Sequence, residues 1–138
     1  VQDTSRESGR FNDPHDLKMD SQGRIFVADR GNNRIQIFDQ DGELLDIWTQ
    51  FGRPSGIWID ANDTIYVADG MSGEQWNTGW QRGIRIGDVE SGYVTEFIPD
   101  YEIPNGSGIE FLASDADGNI YAGQVGRQRF EKYVRVRP

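Results

Sequence analysis

Cysteine is absent from the 138 residues. That excludes a disulfide framework and thiolate chemistry, and it leaves the redox compartment undetermined. Histidine occurs once, at His15, so a tight zinc site would have to borrow ligands. Long apolar runs are also missing. No stretch approaches the roughly 20 residues of a membrane-spanning helix, and no secretory signal is visible. Positive charge is scarce: 14 Lys and Arg stand against 23 Asp and Glu, a net charge of −9. Such a balance argues against nucleic acid and anionic membranes as partners. The one basic cluster, Arg127, Arg129, Lys132, Arg135 and Arg137, reads as a solvated edge. There is no Ser-His-Asp set, P-loop, dinucleotide fingerprint or zinc-protease helix.

What the chain does contain is a series of short apolar runs between polar turns. The first four are Leu17 to Met19, Ile25 to Ala28, Ile35 to Phe38 and Leu44 to Trp48. Each is of strand length and rich in β-branched or aromatic residues. The turns Asp20-Ser21-Gln22-Gly23, Arg30-Gly31-Asn32-Asn33 and Asp39-Gln40-Asp41-Gly42 supply side chains that bond their own backbone and residues that tolerate positive φ. Four strands so joined make an antiparallel meander. The run Ile25 to Ala28 has no polar alternation, which predicts burial on both faces. Sheets stacked face to face provide that, as blades do in a propeller.

The plan recurs. Aligned on Asp20, Asp60 and Asp115, the chain reads GRIFVAD at 23–29, DTIYVAD at 63–69 and GNIYAGQ at 118–124, at spacings of 40 and 55 residues. Pro14 and Pro54 each stand six positions before the aligned Asp. The predicted fold is all-β: one domain, 1–138, of three propeller blades at about 14–48, 54–98 and 107–136. Strands are expected near 56–60, 64–69, 83–87 and 93–98 in blade two, and near 109–114, 119–124 and 131–136 in blade three. The third blade then lacks its outermost strand. Residues 1–10 offer a candidate closing strand, with 1–8 of one chain completing blade three of a partner. Propellers typically need at least four blades. Three are therefore half of a ring that two copies close, or a fragment of a longer polypeptide. The opening on Val1 rather than Met suggests missing upstream residues.

In such a meander the start of strand one and the end of strand two share an edge. His15 and Asp16 therefore lie on one face with Arg30, Asn32 and Asn33. Ser55, Gly70 and the expanded loop 70–82, which holds Trp76 and Trp80, belong to that face, as do Ser107, Gly108 and Gln124. The candidate ligand face is thus His15, Arg30, Asn32, Trp76, Trp80 and Gln124. Arg30 can clamp a carboxylate bidentately or pair structurally with Asp29 or Asp13. The two Trp residues can contact a protein, peptide or carbohydrate, or fold back over blade two. Asn33 and Arg34 read as structural.

The segments Pro-His-Asp-Leu (14–17), FVADRGNNRIQIF (26–38) and FGRPSGI (51–57) resemble NHL repeats, and more narrowly the bacterial NHL propellers similar to peptidyl-α-hydroxyglycine α-amidating lyase. The resemblance covers most of the chain, most strongly 11–69. It implies a six-bladed ring, hence a homodimer of half-propellers. It also implies zinc at His15, a catalytic role for Arg30 and a structural calcium at Asp16. In the lyases three histidines from different blades hold the zinc, whereas Ser55 and Ser107 stand at the matching positions here. The expected function is a non-enzymatic NHL module that binds a protein, peptide or small molecule. The alternative is a metal-dependent, lyase-like enzyme.

Overall fold

The computed structural model describes residue 7, residues 9–102 and residues 106–137. Strands β1 (Pro14–Met19), β2 (Ile25–Asp29), β3 (Arg34–Phe38) and β4 (Leu44–Trp48) form an antiparallel sheet in that order. Strands β5 (Gly56–Ile59), β6 (Thr64–Asp69), β7 (Gly83–Asp88) and β8 (Val94–Pro99) form a second. Strands β9 (Ile109–Ser114), β10 (Ile120–Gln124) and β11 (Arg129–Tyr133) form a third of three strands. The last strand begins two residues before its expected start. A single 3-10 turn, Arg30–Asn32, is the only helical element among the described residues. Strand β5 packs between β1 and β9, so the first strands of the three sheets stand side by side, as the inner strands of propeller blades do.

The repeated Asp builds the same turn three times. Asp20 Oδ1 accepts the backbone N–H of Gln22 and Arg24. Asp60 does so for Asn62 and Thr64, and Asp115 for Asp117 and Asn119. Gly23 and Gly118 take the left-handed position, where the second copy has Asp63 at φ 58°. The side chain of Asp63 accepts the Ser21 N–H at 3.0 Å, tying blade two to blade one. Hydrogen bonds, first from the Asn119 amide side chain, hold the Asp115 carboxyl below its ordinary value of 3.8. A depressed carboxyl contributes stability above its unfolded value, and the contribution is lost as pH falls through the folded one. Asp115→Asn should therefore flatten the acid limb of a melting-temperature profile below about pH 4.

Alternation along β6 sends its residues to opposite sides. Ile65 and Val67 join Phe26, Ala28, Ile35, Ile37, Trp48, Phe51 and Ile57 between blades one and two. Tyr66 and Ala68 join Ile84, Ile86, Ile109, Ile120 and Ala122 between blades two and three. Burial on both faces, expected of Ile25 to Ala28, thus holds for residues 65–68 of the middle blade. In β2, Phe26 and Ala28 are buried, but Ile25 and Val27 are only half-buried. The reason is that, among the described residues, blade one has a neighbouring blade on one side alone. Leu17 and Met19, paired with Val27 and Ile25, are 58% and 53% exposed. At the other end Phe111 and Phe130 are 57% and 73% exposed.

Blades two and three meet backbone to backbone. A Cβ on Gly56 would lie 2.2 Å from the Glu110 carbonyl oxygen, and one on Gly70 would lie 2.5 Å from that of Ile109. Gly56→Ala should cost about 1–3 kcal/mol by overpacking, measured by urea unfolding. Beside blade one, the chain before β1 is tied down: Gln36 accepts the Gly9 N–H and donates to the Arg10 carbonyl. Apart from Glu7, the expected closing strand 1–8 lies outside the described residues.

Candidate functional site

The face that carries His15 stands on three buried polar nodes, one at the end of the second strand of each blade. Asp29, with no solvent exposure, accepts from the Asn12 N–H (2.8 Å), Asn32 Nδ2 (2.9 Å), Arg34 Nε (2.6 Å) and Gln36 Nε2 (3.1 Å). Asp69 accepts from the N–H groups of Arg53, Met71 and Ser72, from Ser72 Oγ and from Arg85 Nη1. Gln124 holds the third node, accepting from Arg127 and donating to Glu131. Asn32 and Gln124 are therefore committed to internal partners that shape the turns of this face.

Above the nodes, side chains of three blades converge. His15 Nδ1 lies 2.7 Å from the Ser55 carbonyl. A carbonyl only accepts, so Nδ1 carries the proton and Nε2 is directed to Glu110, 3.7 Å away. The other Glu110 oxygen lies 3.5 Å from Arg30 Nη1, and Arg30 pairs with Asp13 at 2.9 Å. Of the two partners expected for Arg30, the structure shows Asp13, with Glu110 added. Asp16 is engaged on both oxygens: one accepts from the Leu17 N–H and Lys18, the other from the Ile57 N–H at 2.9 Å.

The loop 70–82 brings arginine and indole together. Asn33, left-handed at φ 53°, accepts Arg53 Nη1 at 3.0 Å, and the Arg53 guanidinium stacks 4.8 Å from the Trp76 ring. Trp80, 38% exposed, stacks on Arg85, which also lies over the Phe97 ring. Both indoles are thus engaged with arginine planes, Trp76 half-buried and Trp80 at the surface. Burial lowers the pKa of Arg53, and the neighbouring Arg30 lowers it further. The expected basic edge is neutralised in part, since Arg127 pairs with Asp100 and Glu102, and Arg129 with Glu102 and Glu131.

Sequence reasoning missed Arg53 and Glu110. A signal existed for both: Glu110 is a lone charge in the apolar run of β9, and Arg53 interrupts the small and apolar segment 51–57. For zinc, His15 and Glu110 supply two donors, and among the described residues no group of three or more His, Cys, Asp or Glu could hold a metal ion. One chain's described residues do not fit a zinc site of three or four protein ligands. A cleft of about 750 Å³ lies away from this face, walled by Thr64, Ile86, Glu96, Tyr133 and Arg135. It lies between blade two and the edge of β11, which pairs only with β10 among the described residues, so it is a gap along a sheet edge away from the His15 face.

Stacked antiparallel meanders with adjacent inner strands, each turned by the same Asp, define this protein as an NHL-type β-propeller array. The NHL repeat itself matches residues 11–38. The chain is 60% identical over 131 residues to NHL repeat-containing protein 3 of Homo sapiens and 55% identical over 144 residues to that of Mus musculus, covering 91% of this chain in each case. It spans only 36% of the length of those curated relatives. It is 32% identical over 132 residues to peptidyl-glycine alpha-amidating monooxygenase B of Xenopus laevis, covering 85% of this chain and 14% of that protein. The extracellular domain of a hybrid two-component system from B. thetaiotaomicron shares the fold at TM-score 0.60 and 19% identity, over 95% of this chain and 18% of the other.

Proposed function

We propose that this chain is a non-enzymatic ligand- or protein-binding NHL module whose blades are completed to a ring by a second copy. One observation carries the binding reading: Asp13, His15 and Arg30 of blade one, Arg53 and Trp76 of blade two and Glu110 of blade three converge on a single face. Charged, planar and aromatic groups held by a rigid sheet scaffold suit recognition of a polar ligand. The test is an NMR titration of the ¹⁵N-labelled chain with mixed tripeptides. Saturable shifts confined to these residues support the reading, and shifts absent or scattered over the surface refute it.

The ring rests on the two open blade faces. Leu17 and Met19 at one end and Phe111 and Phe130 at the other leave large apolar side chains in water, and two copies set end to end would cover both pairs. Light scattering should give twice 15.7 kDa, and Phe130→Asp should return the mass to that of one chain. A wild-type monomer would remove the two-copy ring and leave the missing blades to a longer polypeptide.

A second reading, the lyase-like enzyme, has its own support in the pairing of His15 Nε2 with Glu110 and in the likeness to the Xenopus monooxygenase. In a ring of two copies, His15 and Glu110 from each chain would offer four donors in all. Metal analysis should then find one zinc per two chains, lost in His15→Ala. A metal-free protein after zinc loading would end this reading.

A further inference from the structure

We propose that Arg53, stacked beneath Trp76, is a receiving site for a ligand carboxylate beside the His15–Glu110–Arg30 cluster on the same face; this deepens the binding reading given above and rests on it. Arg53 is only 6% exposed, yet among the described residues no carboxylate forms an ion pair with its guanidinium. The contrast with its neighbours is plain. Arg30 has Asp13 and Glu110, Arg34 has Asp29, and Arg85 has Asp69. Among the described residues Arg53 is thus a nearly buried arginine with no carboxylate in ion-pair contact, the charges of Asp13 and Asp69 acting on it only from further away.

The unused hydrogen-bonding capacity has a definite shape. Nη1 donates to Asn33 Oδ1, while Nε is sealed from solvent with no partner among the described residues. What remains is the edge formed by Nε and Nη2, the edge that receives a carboxylate through two parallel hydrogen bonds. Two residues further on, Ser55 Oγ is also fully buried and has no partner among the described residues. A buried donor left unsatisfied is destabilising, so a site that retains two of them on one short segment is suited to an incoming acceptor. The indole covers one face of the guanidinium, and the Nε–Nη2 edge lies in the guanidinium plane, so stacking and edge-on binding are compatible once the ring moves aside.

Access runs through the loop that carries Trp76. A Cβ on Gly73 or Gly79 would meet nothing within 4 Å, so the loop is loosely surrounded on both sides of the indole. A carboxylate reaching Nε displaces the ring slightly, which makes Trp76 the natural reporter. Small movement in an open loop is the cheap part of binding; the planar fork, already held by Asn33 and Trp76, is pre-organised.

The experiment titrates the labelled chain with N-acetylalanine and, separately, with its uncharged amide. It follows the Trp76 indole N–H, assigned through Trp76→Phe. The acid should bind saturably and the amide roughly tenfold more weakly or worse, as expected when a charge-assisted pair is lost. Arg53→Gln should abolish the preference for acid. Arg53→Lys keeps the charge but not the fork, so it should weaken acid binding while preserving the fold, and it carries the test if the Gln variant unfolds. Equal binding of acid and amide overturns this inference but leaves the binding reading standing. Loss of the acid preference in Arg30→Gln and not in Arg53→Gln overturns it in favour of Arg30. No saturable response to either probe overturns it too, and the tripeptide titration then judges the binding reading on its own.

Discussion

Replacing Asp69 with alanine should remove about 3–5 kcal/mol of folding stability, the range found when one member of a buried ion pair is deleted. The carboxylate is fully buried and bonded by three backbone N–H groups, the Ser72 hydroxyl and Arg85. Truncation leaves those donors facing a void, and it leaves Arg85, with an 8% exposed side chain, without its acid. Stacking on Trp80 and Phe97 and a hydrogen bond to the Gln81 carbonyl hold part of that guanidinium in place, but neither neutralises it. The start of the Trp loop and the backbone of Arg53 hang on the same oxygens, so the damage should spread to the proposed binding face. Urea unfolding supplies the magnitude, and the Trp76 and Trp80 indole resonances report the loop. A loss under about 1 kcal/mol, typical of an exposed pair, would show that the node is not a closed network.

The strands of this fold were legible because each is short, apolar and closed by a turn residue with a mechanism. Asp20, Asp60 and Asp115 announce the repeat by chemistry that is local to five residues. Which residues share a face followed from topology, since a meander returns its second turn to the edge where it began. What was not legible depends on neighbours far away in the chain. Glu110 meets His15 and Arg30 across 95 and 80 positions of sequence, distances over which no periodic pattern speaks. Asn32 and Gln124 belonged to the expected face by position, yet buried partners hold their side chains. The burial of Ile25 and Val27 was overestimated because a run of apolar residues says that a strand suits two neighbours, not that both neighbours are present.

Phe26→Ala should cost about 3–5 kcal/mol as a large-to-small change in a closed core. Phe26 has no exposure and packs edge-on against Trp48 at 5.4 Å in the layer between blades one and two. The more telling expectation concerns where the loss falls. Blades stacked in a row contact only their neighbours, so stability is close to a sum of blade and interface terms. Blade one has one interface, whereas blade two has two. The substitution should therefore open β1 to β4 ahead of the rest, seen as faster amide exchange in 14–48 with β9 to β11 unchanged. Equal acceleration in all three blades would mean that the array unfolds as one unit. Under conditions where a second set of blades covers Leu17 and Met19, blade one gains the interface it lacks, and the same substitution should become milder in exchange. In the proposed ring, the local stability of His15, Arg30 and the turn that carries them would depend on closure, which would link the proposed binding face to the blades that complete it.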